Sequence, residues 1–351
     1  MATPCDLLSK ISSQVALSVQ EQLIQLFSTR GRRVIILAGP TGVGKTQLSL
    51  ELAATLSGEI ISADSMQVYR GMDIGTAKVD KKDREKIPHH LIDIRDITQP
   101  FNVYDYFTEA KAAVEGILAR GKVPIIVGGT GFYIHSVLYG PPSGPPANQA
   151  IRELIEAEAD RVGTDLMYQK LSEFDPVYAA TITPNDRHRI VRAFEIIEIS
   201  GKRVSDFSWK KRQPLPGYDF RCWFLYMPRP VLYQRLTERC HEMLTAGLLD
   251  EVVELERRGI QQNRTASRAI GYHQTLEFLA TEKSEREYAD YVQKFIQASH
   301  HLAKRQFTWF RKEPYFQWVD LSKMALHDVV ELIASDYSSH TPFTLPGDTN
   351  I

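Results

Sequence analysis

The chain has 351 residues, of which 43% are hydrophobic and 24% are charged, and its formal net charge is −1. This length and composition are enough for a buried core in one large or two smaller globular domains. No apolar stretch reaches the ~18 to 20 residues that cross a bilayer, so the sequence predicts neither a membrane span nor a membrane partner. Cys5, Cys222 and Cys240 lie far apart and form no C-x-x-C pair, which favours a reducing, cytoplasmic compartment and no structural zinc.

Positive charge is concentrated in two segments of this nearly neutral chain. Residues 185–212 hold eight Lys or Arg against four acids, and residues 294–312 hold five Lys or Arg and no acid. The near-zero net charge argues against a nucleic-acid partner, because Lys and Arg supply much of the affinity for phosphates. Each segment by itself fits either a nucleic-acid-binding surface or a solvated face.

Residues 1–31 are predicted to be an N-terminal extension. Apolar residues recur from Leu7 to Phe27 with the loose spacing of an amphipathic helix. The segment fits an appended surface helix. Its serines and few acids also fit an organelle transit peptide, although Arg is almost absent before Arg30.

A strand, a glycine-rich turn and a helix are predicted next. Residues 34–38 form a short apolar run, residues 39–46 the turn, and residues 47–56 a helical pattern. The turn reads Gly39-Pro40-Thr41-Gly42-Val43-Gly44-Lys45-Thr46 and fits G-x-x-x-x-G-K-[ST] in the strand-to-helix context that this motif requires. Glycines let backbone N–H groups surround phosphate oxygens, Lys45 adds a full positive charge, and the Thr46 hydroxyl is a candidate Mg²⁺ ligand. The motif leaves open which phosphate compound is bound.

Two further apolar runs, at residues 59–63 and 123–127, have strand length, and residues 103–120 are predicted to form a helix before the second. Short buried strands that alternate with helices indicate an α/β fold, a P-loop NTPase-like doubly wound parallel sheet. Ligands of such sheets bind beyond the carboxyl ends of the strands. Residues 64–67 and 128–131 are therefore predicted to lie beside the phosphate loop.

Proline and glycine interrupt the predicted elements at residues 140–146 and 213–217. The residues between these breaks are mostly helical in pattern, and an apolar run at 222–227 follows the second break. We therefore predict a P-loop core in two parts, 32–140 and 218–325, a helical insertion domain at 141–217 and a tail at 326–351.

Asp64 and Thr130 follow two predicted strands, and each has two interpretations. Asp64 is a general base placed where a substrate would meet the bound phosphate, or a turn or cap residue. Thr130 is a hydrogen-bond donor to the phosphates, or an ordinary turn residue.

Arg235 and Arg239 are one helical turn apart and can face the same side of a helix. Two guanidinium groups at a phosphate site would stabilise a departing phosphate, whereas on a surface helix they would only be solvated.

Several stretches beyond the phosphate loop resemble the tRNA dimethylallyltransferase (tRNA isopentenyltransferase) family, and the likeness covers about residues 32 to 320. They are Ser62-Ala63-Asp64-Ser65-Met66-Gln67-Val68-Tyr69, Gly71-Met72-Asp73-Ile74-Gly75-Thr76-Ala77-Lys78, Gly128-Gly129-Thr130-Gly131-Phe132-Tyr133, Leu302-Ala303-Lys304-Arg305-Gln306 and Thr308-Trp309-Phe310-Arg311. A phosphate loop alone is shared by many unrelated enzymes, but this ordered set is specific.

The resemblance implies a monomeric, Mg²⁺-dependent enzyme that transfers a dimethylallyl group from dimethylallyl diphosphate to N6 of an adenine adjacent to the anticodon in tRNA. It implies that the loop, residues 39–46, holds the diphosphate, that Asp64 takes the N6 proton, and that Thr130 and Arg239 lie at the diphosphate. It also places the contacts with the tRNA anticodon arm on sixteen residues: Asp64, Ser65, Met66, Gln67, Arg152, His188, Arg189, Ile190, Val191, Arg192, Arg268, Ala269, Ile270, Gly271, Tyr272 and His273.

Two departures from the family pattern are visible. His273 stands where relatives often have a longer basic residue, and the tail after Lys323 lacks the cysteines of the zinc finger that eukaryotic relatives often carry. The chain therefore resembles the bacterial type.

Three other functions share the phosphate loop. An enzyme that prenylates free adenine nucleotides would not need the insertion, and a small-molecule kinase would bind ATP in the loop and use Asp64 to activate an alcohol. A nucleotide-switch protein would carry a guanine-reading segment, and none is recognisable. The donor and the acceptor are what separate these alternatives.

Overall fold

The structure is a computed structural model that describes residues 32–207 and 213–339. The predicted N-terminal extension, with Cys5, lies outside the described residues. So do residues 208–212 and the last twelve residues of the predicted tail, 340–351.

The described strands form one six-stranded parallel sheet in the order β3-β2-β4-β1-β5-β6, which confirms the predicted doubly wound α/β fold. The strands are β1 (Arg33–Ala38), β2 (Gly58–Ala63), β3 (His89–His90), β4 (Val123–Gly128), β5 (Asp219–Tyr226) and β6 (Gln317–Asp320). Strand β1 lies between β4 and β5, and its residues from Val34 to Ala38 are fully buried because helices cover both faces of such a sheet.

The α-helices of the described residues are α1 (Lys45–Leu56), α2 (Lys81–Lys86), α3 (Val103–Ala119), α4 (Gly131–Tyr139), α5 (Gln149–Val162), α6 (Thr164–Phe174), α7 (Pro176–Ala179), α8 (Arg187–Ser200), α9 (Arg229–Thr245), α10 (Leu248–Arg257), α11 (Tyr272–Leu279), α12 (Glu285–Phe310) and α13 (Leu326–Ser338). Among the described residues, none of these helices has the length and apolar character needed to cross a membrane.

Strand register places the three predicted site segments at one edge of the sheet. Ala38 of β1 lies beside Gly128 of β4, and Gly128 in turn lies beside Ala63 of β2. A side chain at Gly128 is impossible without rearrangement, because a Cβ there would be 2.2 Å from the Ala63 carbonyl oxygen. This close approach brings the segments after β1, β2 and β4 together.

The chain divides into two compact units. The larger comprises the described residues up to Leu138 and from Pro214 onward, and the smaller runs from Tyr139 to Gln213, where the sequence predicted an insertion at 141–217. The smaller unit is helical and has its own apolar core, in which Leu171 and Ile190 are fully buried.

The structure corrects the prediction for the C-terminal part. Residues 317–320 form the edge strand β6, and residues 326–338, predicted as the start of a tail, form helix α13. Val329, Val330 and Ile333 of α13 are buried, and the helix packs against α1. A four-residue strand is too short to show a clear alternation of apolar and polar residues. Helix α13 has no side-chain hydrogen bond that caps its N-terminus, so neither element has a strong sequence signal.

Candidate active site

A cavity of about 410 Å³ lies at the carboxyl ends of the central strands, within the larger unit. Its wall includes the phosphate loop after β1, Asp64 and Gln67 after β2, and Gly128 and Gly129 at the end of β4. Helix α9 contributes Arg235 and Arg239 to the wall, and helix α12 contributes Gln306. The sequence-predicted segments therefore meet at one cavity, as expected for the carboxyl edge of a parallel sheet.

The phosphate loop has the backbone geometry that its glycines permit. Gly42 and Gly44 have φ angles of 78° and 105°, which residues with a Cβ rarely adopt. Helix α1 begins at Lys45, directly after the loop, so its first N–H groups lie at the cavity with the partial positive charge of a helix N-terminus. This end of the cavity can therefore bind an anion.

The Lys45 amino group binds the first two residues of its own loop. Its Nζ donates hydrogen bonds to the carbonyl oxygens of Gly39 at 2.9 Å and Pro40 at 2.7 Å. Burial, and then the nearby charge of Arg239, lower the pKa of Lys45 from its usual value of 10.5 to about 7, although Asp64 acts in the opposite direction. A bound diphosphate would favour the charged form, because opposite charges at close range stabilise each other.

The Asp64 side chain lines the cavity and also forms a local turn. Its Oδ1 accepts a hydrogen bond from the Met66 N–H at 2.8 Å, which is an Asx turn. The carboxylate interacts electrostatically with both Lys45 and Arg239. Asp64 is therefore a turn residue, and its side chain also lines the cavity, where a general base would have to lie.

Thr130 lies at the junction of two segments of the site. Its hydroxyl accepts a hydrogen bond from the Ser65 N–H at 3.2 Å, and its own N–H donates to the Ala63 carbonyl at 3.2 Å. The cavity wall nearby is formed by Gly128 and Gly129 rather than by the Thr130 side chain. The predicted contact between Thr130 and a diphosphate therefore stays a prediction, and the observed contacts hold the Asp64 segment against β4.

Arg235 and Arg239 extend from helix α9 to the same cavity, as the four-residue spacing predicts. Arg239 makes no hydrogen bond or ion pair with any residue that the structure describes. Burial lowers the pKa of Arg239, whereas Asp64 opposes this change, and a guanidinium remains charged in proteins. A partly buried cation without a partner, in a cavity that holds a second cation, favours a polyanionic ligand.

Two further residues of the site were not selected from the sequence. Gln306 of α12 accepts a hydrogen bond from the Thr41 N–H at 2.9 Å and donates one to the Gly129 carbonyl at 3.0 Å, so it joins the phosphate loop to the turn after β4. His89 also lines the cavity, with Nδ1 2.7 Å from the Ile87 carbonyl and a buried Nε2 that has no hydrogen-bond partner within residues 32–207 and 213–339. Gln306 lies in a motif that carried the family resemblance, which was the available signal.

The residues present are compatible with magnesium bound together with a diphosphate. Thr46 is exposed at the cavity, and the part of the chain that the structure describes contains no cluster of three or more His, Cys, Asp or Glu that could hold a metal. Mg²⁺ usually keeps several waters and binds through one or two protein oxygens plus phosphate oxygens. The Thr46 hydroxyl fits that pattern, and the magnesium requirement stays a prediction.

The predicted tRNA-binding residues of the larger unit fall in two places. Asp64 and Gln67 line the cavity, while Arg268 and His273 are exposed in and beside helix α11. Ala269, Gly271 and Tyr272 are buried between them. The exposed side chains of Arg268 and His273 are thus available to a ligand, and the buried residues hold the segment in place.

The predicted tRNA-binding residues of the smaller unit are partly engaged in ion pairs. Arg152 and Arg192 both contact Glu195, whose carboxylate is fully buried, at 2.6 and 2.9 Å. Arg189 is exposed and pairs with Asp186 at 2.6 Å. His188 is exposed as well, whereas Ile190 and Val191 belong to the core of this unit.

Fold and site together define an α/β protein of the P-loop-like class with a cavity lined by the phosphate loop and by basic side chains. Comparison with known proteins identifies the family. The model of the IPP transferase family matches residues 67–313. A protein of Protochlamydia amoebophila named tRNA dimethylallyltransferase is 52% identical over 332 residues, which cover 95% of this chain and 96% of that protein. A protein of the same name from Chlamydia pneumoniae is 46% identical, with coverage of 92% and 94%.

Two solved structures agree with these sequence relatives. The tRNA isopentenylpyrophosphate transferase of Bacillus halodurans is 36% identical, with a TM-score of 0.63 and coverage of 88% of this chain and 98% of that one. A eukaryotic dimethylallyltransferase crystallised acting on tRNA is 29% identical, with a TM-score of 0.72 and coverage of 89% and 81%. The chain belongs to the tRNA dimethylallyltransferase family, a family of transferase enzymes.

Proposed function

We propose that this enzyme transfers a dimethylallyl group from dimethylallyl diphosphate to N6 of an adenine adjacent to the anticodon in tRNA. The observation that carries the proposal is one cavity that is lined by a phosphate loop with Lys45, by the carboxylate of Asp64 and by Arg239, a cation with no ion-pair partner among the described residues. The cations suit a diphosphate, and the carboxylate suits the removal of a proton from the acceptor. The relatives' names supply the donor and the class of acceptor.

In this mechanism the diphosphate lies in the loop, against the N–H groups at the start of α1. Lys45 and Arg239 bind its oxygens, and Thr46 with those oxygens would hold Mg²⁺. When bound, Mg²⁺ supplies further positive charge to the phosphate oxygens. The enzyme's own cations are already in place before charge develops, so little reorganisation is needed during the reaction.

The transfer forms one bond and breaks another. The N6 nitrogen of adenine attacks the allylic carbon, and the bond between that carbon and the bridging oxygen breaks, so that its electron pair leaves with the diphosphate. The N6 proton passes to the Asp64 carboxylate. Asp64 lines the same cavity as Lys45 and Arg239 and interacts electrostatically with both, so the proposed proton acceptor and the leaving-group site share one cavity.

Two alternative functions use the same phosphate loop with a different donor or a different acceptor. A small-molecule kinase would bind a nucleoside triphosphate in the same loop, and an adenine-nucleotide prenyltransferase would accept free AMP, ADP or ATP. The helical unit at 139–213, with its exposed Arg189, favours a large anionic acceptor such as tRNA. Action as a monomer stays a prediction that rests on the family resemblance.

The decisive experiment pairs each donor with each acceptor. The purified full chain is incubated with Mg²⁺ and either dimethylallyl diphosphate or ATP, together with unmodified tRNA, free AMP or a small alcohol. Nuclease digestion and mass spectrometry then identify the product. We expect N6-dimethylallyladenosine only in the reaction that pairs tRNA with dimethylallyl diphosphate. Prenylated AMP or a phosphorylated alcohol as the main product would contradict the proposal.

A further inference from the structure

Glu251, on the first turn of α10, binds a turn of the chain far away in sequence. Its carboxylate accepts hydrogen bonds from three consecutive N–H groups, those of Asp73 at 3.0 Å, Ile74 at 2.7 Å and Gly75 at 3.2 Å. Successive backbone N–H groups of this kind make an anion-binding nest. Here the anion in the nest is a side chain of the protein itself.

The same carboxylate also holds helix α11. The hydroxyl of Tyr272, a fully buried residue, donates a hydrogen bond to Glu251 Oε1 at 2.6 Å. The Tyr272 ring covers Gly75 so closely that a Cβ at Gly75 would be 2.5 Å from it. Glu251 thus fixes the turn at residues 73–75 and the first residue of α11 with one charged group.

The turn continues directly into the wall of the active-site cavity. Thr76 and Ala77 line the cavity, and the Thr76 carbonyl accepts a hydrogen bond from Gln67 Nε2 at 3.4 Å. The Gln67 Oε1 accepts from the Ser62 hydroxyl at 3.0 Å. The orientation of the Gln67 amide is therefore set on one side by β2 and on the other by the turn that Glu251 holds.

We propose that Glu251 is a positioning residue for the acceptor nucleotide, because it fixes the turn that orients Gln67 and the helix start that carries His273. Glu251 does not line the cavity itself, so it would act through Gln67, which follows the proposed base Asp64 by three residues and lines the same cavity. This inference rests on the proposed function, since its readout is the use of tRNA. The diphosphate side depends on different contacts, those of Lys45, Gln306 and Arg239.

The variants separate positioning from simple structural support. Glu251→Gln keeps the shape of the side chain but replaces one acceptor oxygen by an NH₂ group that opposes the N–H donors. Tyr272→Phe is milder, because it keeps the ring on Gly75 and removes only the hydroxyl. Glu254→Gln is the matched control: Glu254 is on the same helix, has the same charge and is 59% exposed in its side chain.

The measurements are kcat/KM for tRNA, the affinity for a non-reactive prenyl diphosphate, and the folded fraction. Misplacement by about 1 Å can lower a rate by ~10²-fold, so we expect Glu251→Gln to lower kcat/KM for tRNA by roughly 10- to 100-fold. Its donor affinity should stay within about 3-fold of the wild type, and Glu254→Gln should behave as the wild type. Tyr272→Phe should show a smaller loss of the same kind.

Several results would overturn the inference. One is an unchanged kcat/KM for tRNA in Glu251→Gln, and another is a parallel loss of tRNA use, donor affinity and folded protein in both variants, which would mean structural support only. A wild-type enzyme that does not prenylate tRNA would overturn the proposed function first, and this inference with it. A wild-type enzyme that prenylates tRNA beside an equally active Glu251→Gln variant would overturn this inference alone.

Discussion

Lys45 and Arg239 are two cations that face one cavity, and the charge of Arg239, together with burial, lowers the pKa of Lys45 to about 7. Lys45 donates hydrogen bonds to carbonyl oxygens of its own loop, whereas Arg239 has no hydrogen-bond or ion-pair partner among the described residues. A diphosphate would relieve the repulsion between the two cations. Donor binding and protonation of Lys45 are therefore coupled.

The first prediction is that donor binding takes up protons at alkaline pH. The pKa of Lys45 in the free enzyme lies well below its usual value, so a much larger fraction of the amine is neutral at pH 8 than for an ordinary lysine, and a bound diphosphate shifts it to the charged form. Donor affinity should therefore fall as the pH rises above about 7. Calorimetry of a non-reactive prenyl diphosphate at pH 8, in buffers of different ionisation enthalpy, measures the uptake. Lys45→Arg, with a permanent charge, should show much less, and equal uptake in both proteins would refute the coupling.

The second prediction concerns the loss of the loop lysine. Lys45→Ala should bind the donor weakly and should not transfer, because it removes a cation that holds the diphosphate and stabilises its departure. The fold should survive, since the Lys45 side chain, in the part of the chain that the structure describes, hydrogen-bonds only to carbonyl oxygens of its own loop. Activity and circular dichroism are measured together. A folded variant with near-normal turnover would mean that the donor does not bind in this loop.

The third prediction separates two arginines of the smaller unit. Arg189 is exposed, so Arg189→Ala should weaken tRNA binding and lower the salt dependence by about one unit of slope, with unchanged stability. Arg192 pairs with the buried Glu195, so Arg192→Ala should in addition destabilise this unit by about 1.5 to 3 kcal/mol. A salt series and thermal unfolding measure the two effects. An unchanged slope for Arg189→Ala would mean that its charge is only solvated.

The fourth prediction concerns Gln306. Gln306→Ala removes the two hydrogen bonds that hold the phosphate loop against the turn after β4, so donor affinity should fall, by roughly 10-fold. Gln297→Ala, on the exposed face of the same helix, is the control. Donor titration of both variants measures the effect. Equal affinities would show that Gln306 does not organise the loop.

The sequence predicts the parts of the site that are encoded locally. The phosphate loop lies within eight consecutive residues, and Asp64 directly follows an apolar run of strand length. The sequence motif and the pattern of apolar residues are therefore enough to find both. The contacts Gln306 to Thr41 and Glu251 to Asp73 join residues 265 and 178 positions apart, and no local pattern reveals such pairs. By contrast, the pair Arg192 and Glu195 is three residues apart on a predicted helix, and this spacing was a usable signal.

Asp64→Asn is the most direct test of the proposed mechanism, because Asp64 is both a turn residue and the proposed base. An asparagine keeps the Oδ1 that accepts the Met66 N–H, so the turn should persist while the base is lost. General base catalysis contributes roughly 10²- to 10⁴-fold in rate, and the adenine amine is a poor nucleophile because its lone pair is delocalised into the ring.

The measurement is the single-turnover rate of transfer to tRNA by Asp64→Asn, with both substrates saturating. The mechanism predicts a fall of at least about 10²-fold with donor and tRNA affinities within a few-fold of the wild type. A stable variant with nearly the full rate would contradict it.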